Sequence, residues 1–258
     1  MIKALPFLFL FCFIGLSLTG QTNIELNIQH KFEKSNFVAG RTYLTDDNRA
    51  VLISRIEYFL SDIELIHDGT QTSAAINYPH LLINGETTTY NLGNISASIQ
   101  ELEYITFNVG VDVAANQSSP FTYATGHALS TTNMYSNNQL SYIFIAIEGM
   151  MDSNGDQIPD KPFILHATGD HLLRQISIPA KTASTNNTLK INLIANIAKF
   201  LNEIDLELVG IQENGDTTNA KLCDNTEDYT VFSNVGTTNI NTLVSPKNQI
   251  NVDSRLPY

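Results

Sequence analysis

Apolar and polar side chains alternate along much of the chain. From residue 23 onward, Ile24, Leu26 and Ile28 face one way, while the residues between them are polar. An alternation with a period of two predicts a strand with one buried face. The same kind of pattern predicts strands at Val51–Ile56, Tyr58–Ile66, His80–Asn84, Leu102–Val111, Leu140–Glu148, Phe163–Ala167, Gln175–Ile178, Leu189–Leu193 and Asp205–Ile211.

Turn signals separate these segments, at Asp68-Gly69, Asn84-Gly85 and Asn214-Gly215 among others. Many short strands with such punctuation predict an all-β protein, here a single β-sandwich-like domain over residues 21–234. One short helix is expected at Ile194–Asn202, where apolar residues recur at helical spacing. Residues 235–258 are rich in Asn and Thr and are expected to form a weakly structured tail.

Residues 1–20 have the pattern of a secretory signal peptide. A lysine at position 3 precedes an almost unbroken apolar run from Leu5 to Leu18. The run is shorter than the roughly 20 residues that span a bilayer, although a retained anchor is the alternative. We therefore expect a periplasmic or extracellular protein without membrane contact once the signal is removed. Cys223 is then the only thiol, because Cys12 lies inside the signal.

Composition and charge exclude several classes of protein. The chain carries 14 basic and 26 acidic residues, a formal net charge of −12, which argues against nucleic-acid or anionic-membrane partners. A hydrophobic content of 43% argues against intrinsic disorder. Paired-cysteine zinc patterns, hydrolase nucleophile motifs and phosphate-binding glycine loops are missing. We expect a protein that is not an enzyme and that binds metal, if at all, through His, Met or oxygen.

The segment from residue 152 to residue 160 has the spacing of a calcium loop. Oxygen-bearing side chains at alternate positions, with Gly155 allowing the turn, suit a hard cation. The expected ligands are the side chains of Asp152, Asn154, Asp156 and Asp160 and the backbone carbonyl of Ile158. The loop resembles thrombospondin type 3 repeats and the start of an EF-hand, but Phe163 replaces the EF-hand glutamate. The alternative is an acidic turn whose carboxylates bind backbone amides.

Three of the six histidines stand in informative contexts. His67, His80 and His171 adjoin turn signals and carry little specific meaning. His30 falls in phase with the apolar face of the first strand, so it is a candidate either for the core or for a metal site. His127 and His166 complete the set of candidate ligands.

Several short segments together resemble the MbnP-like family of exported, copper-associated proteins. Their order and spacing fit that family from about residue 23 to residue 210. They are His30-Lys31-Phe32, Tyr58–Leu65, Ile105–Asp112, His127-Ala128-Leu129, Met134-Tyr135, Tyr142-Ile143-Phe144, Glu148-Gly149 and Phe163–His166. The resemblance implies a β-sandwich-like domain that binds copper, in some members with an oxidised tryptophan made by a di-haem partner enzyme.

The chain departs from that family at the tryptophans. The resemblance places the family's tryptophans at the positions of Ser136 and Asn138, and the chain contains no Trp. A di-haem partner therefore has no tryptophan to oxidise here, and Gln117 replaces a histidine of some members. A copper site would use His30, His127 and His166, with Met134 as a soft ligand.

Two functions follow from these patterns. The first is an exported copper-binding or copper-handling protein with a separate structural calcium loop. The second is a calcium-stabilised interaction or adhesion module without copper. The first requires three imidazoles, distant in sequence, to meet after folding. Loss of the tryptophans favours the second, whereas retention of the three histidines favours the first.

Overall fold

The structure is a computed structural model that describes residues 21–69, 71–73, 79–96, 98–209, 216–227 and 231–235. The predicted signal peptide and residues 236–258 of the predicted tail lie outside the described residues. The strands are β1 (Thr22–Phe32), β2 (Ser35–Asn36), β3 (Thr42–Leu44), β4 (Ala50–His67), β5 (Gln71–Ser73), β6 (His80–Asn84), β7 (Thr89–Ile95), β8 (Leu102–Val109), β9 (Tyr135–Ser136), β10 (Ser141–Met151), β11 (Lys161–Thr168), β12 (Arg174–Thr182), β13 (Thr188–Asn196) and β14 (Phe232–Asn234). The helices are α1 (Val113–Asn116), α2 (Ile197–Phe200) and α3 (Asp216–Thr226), with 3-10 turns at Pro120–Thr122, Ala128–Ser130, Thr132–Met134 and Asp170–Leu172.

Two sheets form the sandwich that the sequence predicts. The first sheet has the order β14-β13-β1-β2, with β7 also paired to β1, and β1 runs parallel to β13. The second sheet has the order β11-β10-β4-β8-β12, with β3, β5 and β6 paired to β4 and β9 paired to β10. The long strand β4 therefore organises the second sheet, because it pairs with five others.

The core lies between the sheets and is dominated by aliphatic and aromatic side chains. Tyr58, Phe107, Phe200 and Phe232 are buried, and Phe232 lies 5.5 to 5.8 Å, centroid to centroid, from the other three rings. Burying one such ring stabilises the fold by roughly 1.5–3 kcal/mol. This aromatic cluster joins β4 and β8 of one sheet to β14 of the other and to α2.

Residues 113–140 lie over the outer face of the second sheet, and we call them the overlying segment. The amide of Tyr142 on β10 donates to Asn116 Oδ1 at 2.8 Å, and its hydroxyl donates to the Leu129 carbonyl at 2.8 Å. The Tyr142 ring meets Phe59 of β4 edge-on at 5.7 Å. These contacts explain why β10 is buried on both faces over most of its length.

The structure differs from the predicted elements in several places. The predicted strands at Val51–Ile56 and Tyr58–Ile66 are one strand, β4. The strand predicted at Asp205–Ile211 is wrong over residues 205–209, where the Leu208 amide closes a turn onto the Asp205 carbonyl. The predicted helix begins only at Ile197, since the preceding residues extend β13 beside β1 and β14. Helices α1 and α3 were not predicted, nor were the strands β2, β3, β5, β7, β9 and β14.

None of the helices within the described ranges has the length and apolar character of a membrane span.

We expect Gly149→Ala to destabilise the fold. Gly149 lies in β10, and a Cβ there would stand 2.1 Å from the Leu52 carbonyl oxygen of the neighbouring strand. Because the obstacle is backbone, the free energy of unfolding should fall by about 2–3 kcal/mol, measured by urea denaturation. The neighbouring Met150→Ala, at a half-exposed position, is the control and should cost less than about 1 kcal/mol. Equal losses would contradict the close approach at Gly149.

Candidate functional site

The three histidines nominated by the sequence lie in separate environments. Among the residues that the structure describes, no group of three or more His, Cys, Asp or Glu side chains is arranged to hold a metal ion. The expected convergence of His30, His127 and His166 therefore does not occur. Strand alternation explains the separation of two of them: His30 points into the sandwich, whereas His166 lies on the face of β11 opposite to its buried residues.

His30 is a core residue. Its Nε2 lies 3.0 Å from the Tyr58 hydroxyl, and burial lowers the pKa of His30 to about 4. The imidazole is therefore neutral at neutral pH. Of the two roles that the β1 pattern allows for His30, the structure thus supports the role in the core.

His166 belongs to a charged cluster on the outer face of the second sheet, made of Arg55, Glu57, Glu148 and His166. His166 Nε2 donates to Glu148 Oε1 at 2.9 Å, and Arg55 Nη1 donates to the same oxygen at 2.5 Å. Arg55 also binds Glu57, with Nη2 2.6 Å from Oε2. Burial opposes ionisation of Glu148, but the bonds from His166 and Arg55 outweigh it and lower its pKa. Two carboxylates thus face one guanidinium.

Met134 reaches the same cluster from the overlying segment. Its side chain is buried, and its sulfur accepts a hydrogen bond from Arg55 Nη2 at 3.2 Å. The same guanidinium nitrogen donates to the Asn133 carbonyl at 3.1 Å. Of the predicted copper ligands, Met134 and His166 are thus brought to one cluster, with the Arg55 guanidinium between them.

A cavity of about 420 Å³ adjoins the cluster, and we call it the His166 cavity. Amide and hydroxyl side chains supply most of its wall, and His166 is the only imidazole in it. The lining residues are Thr132, Asn133, Tyr135, Ser136, Asn137, Asn138, Ile143, His166 and Thr168. The cavity thus contains both positions, Ser136 and Asn138, to which the resemblance assigned the missing tryptophans.

A larger cavity of about 630 Å³ lies elsewhere, between the 44–51 region and the loop after α2. Carboxylates such as Asp46, Asp47, Glu203 and Asp205 line it, and no histidine does. Arg49 and Lys199 already bind acidic side chains there, at 2.8 Å from Glu207 and 2.9 Å from Glu33. This cavity carries none of the predicted ligands.

His127 lies beside His80, a residue that the sequence did not nominate. Their ring centroids are 6.1 Å apart. His80 Nε2 lies 2.6 Å from Asp112 Oδ2, and His127 stacks on Tyr123 at 4.5 Å. Only the pairing of β6 with β4, and the path of the overlying segment, bring these two rings together.

The predicted calcium loop forms a hydrogen-bonded turn. Asp152 is fully buried, and its carboxylate accepts the backbone amides of Asn154, Gly155 and Gln157 at 2.6 to 3.1 Å. Asp160 Oδ1 accepts the Ser153 amide at 2.9 Å. Hydrogen bonds of this kind are expected if the segment is an acidic turn whose carboxylates bind backbone amides. A carboxylate has about four lone-pair sites, and these amides occupy at least three of them at Asp152, so little capacity for a cation remains there.

Comparisons with known proteins give a consistent family and fold. The model of the MbnP family matches residues 21–223. Among solved structures, MbnP from Methylosinus trichosporium is similar, with a TM-score of 0.51 at 12% identity over 76% of this chain and 82% of that protein's chain. At that identity the likeness shows the fold alone. No curated protein matches the chain.

We expect the Asp152 carboxylate to make stability depend on pH. Burial raises its pKa, but the bonds from Gln157, Gly155 and Asn154 outweigh burial, so the net pKa is lowered. The pKa of Asp152 is therefore lower in the folded state than the value of about 3.9 expected in the unfolded state. The stability that the ionised carboxylate contributes is complete above about pH 3.9 and is lost as the pH falls through the folded-state pKa. Asp152→Asn should therefore melt below wild type at pH 7, and the difference should narrow below about pH 4.

The control for this measurement is Glu86→Gln, at an exposed position. It should follow the wild-type melting temperature at every pH. A gap between wild type and Asp152→Asn that stays constant from pH 7 to pH 3 would contradict the role given to the ionised carboxylate.

Proposed function

The chain belongs to the MbnP family, and from that premise we propose that it is an exported copper-binding or copper-handling protein without catalytic activity. Membership of this family suggests a copper-related exported protein. The observation that supports a retained metal role is the His166 cavity, where an imidazole lies beside a cluster with excess negative charge.

His166 has the features of a metal-binding imidazole. Metal-ligating histidines commonly donate their second ring N–H to a carboxylate, which fixes the tautomer. Here Nε2–H donates to Glu148, so the lone pair stands on Nδ1. Imidazole nitrogen and thioether sulfur both suit copper, and Met134 becomes a second ligand if the Arg55 guanidinium withdraws from its sulfur. Glu57 and Glu148 together carry one more negative charge than Arg55 neutralises, which favours an added cation.

The donor set is smaller than the family resemblance implies. Ser136 and Asn138 offer a hydroxyl and an amide where a modified tryptophan would stand in other members. The cavity offers one imidazole, and the Met134 thioether already accepts a hydrogen bond from Arg55. We therefore expect copper binding to be weak and exchangeable. Such binding suits handling or transfer better than storage.

A calcium-stabilised interaction module without copper is the second candidate. The regular alternation of oxygen-bearing side chains in residues 152–160 favours it, together with the absence of Trp from the chain. Asp152, Asn154, Asp156 and Asp160, with the Ile158 carbonyl, would supply oxygens to calcium at about 2.3–2.6 Å. Binding there would require Asp160 to share its oxygens between the cation and Ser153.

We expect His166→Ala to weaken copper binding at least about tenfold, because it removes the only imidazole of the cavity. The measurement is copper retention after dialysis against a competing chelator, with melting temperature recorded to verify folding. His171→Ala is the matched control, since His171 is exposed in a 3-10 turn. Equal copper retention by wild type and His166→Ala would exclude this cavity as the copper site.

Calcium should stabilise the wild-type fold by roughly 2.7 kcal/mol when its concentration is a hundredfold above the dissociation constant. We expect Asp156→Ala to abolish that gain and to leave stability in chelator nearly unchanged. Thermal melts with calcium and with chelator separate the two effects. An equal loss under both conditions would assign the loop to the acidic turn, in which Asp156 Oδ1 accepts the Ile158 amide at 2.9 Å.

A further inference from the structure

We propose that His80 and His127 form a second metal site, separate from the His166 cavity, which takes one monovalent soft cation such as Cu(I) or Ag(I) between the two rings. The proposal goes beyond the function proposed above, because it uses neither His166 nor Met134. It rests on the unpaired buried nitrogen of His80, the packing of His127 and the distance between the two rings.

His80 presents a buried nitrogen without a partner. Its side chain is 9% exposed, and Nε2 lies 2.6 Å from Asp112 Oδ2. A carboxylate only accepts, so Nε2 carries a proton, and in the neutral ring Nδ1 keeps its lone pair. Nδ1 is buried and has no hydrogen-bond partner among the described residues. Buried polar atoms are rarely left unpaired, and a bound ion or water is one reason that such an atom persists.

Asp112 holds the His80 ring in this tautomer. Its other oxygen, Oδ1, accepts the Ala115 amide at 3.0 Å and so caps α1. Burial opposes ionisation of Asp112, but the bonds from Ala115 and His80 outweigh it and lower its pKa. An ionised carboxylate behind an imidazole is the usual outer partner of a metal-binding histidine.

The His127 ring lies beside His80 and belongs to the overlying segment. Stacking on Tyr123, with 13° between the planes, fixes the ring. Burial lowers the pKa of His127, which favours the neutral ring. Its Nδ1 accepts the Leu129 amide at 3.1 Å, which leaves the proton on Nε2. If the metal binds Nε2, the proton moves to Nδ1, which can then no longer accept the Leu129 amide. If the metal binds Nδ1, it takes the place of the Leu129 amide directly.

The ring separation fits two-coordinate binding. A linear nitrogen–metal–nitrogen unit with bonds of about 2.0 Å separates two imidazole centroids by about 6 Å, counting about 1.1 Å from each centroid to its nitrogen. The observed separation is 6.1 Å. The described residues supply no third His, Cys, Asp or Glu to this pair in a metal-binding arrangement. Zinc prefers four ligands and calcium six to eight oxygens, whereas monovalent d¹⁰ ions accept two neutral nitrogens.

The test is titration of the metal-free protein with Ag(I), followed by calorimetry and by the amide resonance of Leu129. We expect His80→Gln and His127→Ala each to lose one Ag(I) per chain, or to bind it at least about tenfold more weakly. The Leu129 amide should shift in wild type as that site fills. His80→Gln retains a donor for Asp112, and circular dichroism verifies that both variants fold.

Two control variants separate this site from the copper cavity. His166→Ala should keep the Leu129 response, and His171→Ala should bind as wild type does. Unchanged Ag(I) binding by His80→Gln, or a Leu129 amide that does not respond in wild type at saturation, would overturn the proposal. Loss of the Leu129 response in His166→Ala would also overturn it, because the two sites would then be one. The copper proposal is tested separately, by copper retention in His166→Ala.

Discussion

The alternation of side chains across the second sheet is the constraint on which the other features depend. On β4, Ile56 and Tyr58 face the interior of the sandwich, whereas Arg55 and Glu57 face outward. Glu148 lies directly opposite Arg55 in the register of β10, so their charges share the outer face. The overlying segment covers that face and brings Met134 onto it. One strand thus supplies an apolar core on one side and a charged cluster on the other.

Electrostatic balance distinguishes the two faces. Inside the sandwich, burial keeps His30 neutral, because no charged partner compensates the loss of water around an imidazolium. On the outer face, Arg55 and His166 keep Glu148 ionised in spite of partial burial. Fixed donors also keep Asp112 and Asp152 ionised. His166 on the outer face is therefore held by the ionised Glu148, and His80 by the ionised Asp112, whereas His30 serves packing.

Much of the fold was predictable from local patterns. Strand β6 was predicted with its observed bounds, and the sandwich followed from the number of short alternating segments. Strand β7 was missed because its outward residues are polar and few of its side chains are buried. Residues 205–209 were mistaken for a strand because Leu206 and Val209 are buried although the backbone there forms a turn. The spacing of apolar residues does not distinguish such a turn from a strand. The site was predictable only in part: Met134 and His166 were named, while Arg55, Glu148, His80 and Asp112 were not.

The sequence by itself determined the β class, the inward face of β1 with His30 on it, the absence of tryptophan and the oxygen-rich loop at residues 152–160. These properties depend on residue identity and on the spacing of near neighbours. Only the tertiary structure decided that His166 meets Glu148 and Arg55, and that His127 meets His80. Such pairs join residues on different elements, and their distances follow from strand pairing and from the path of the overlying segment, which local periodicity does not encode.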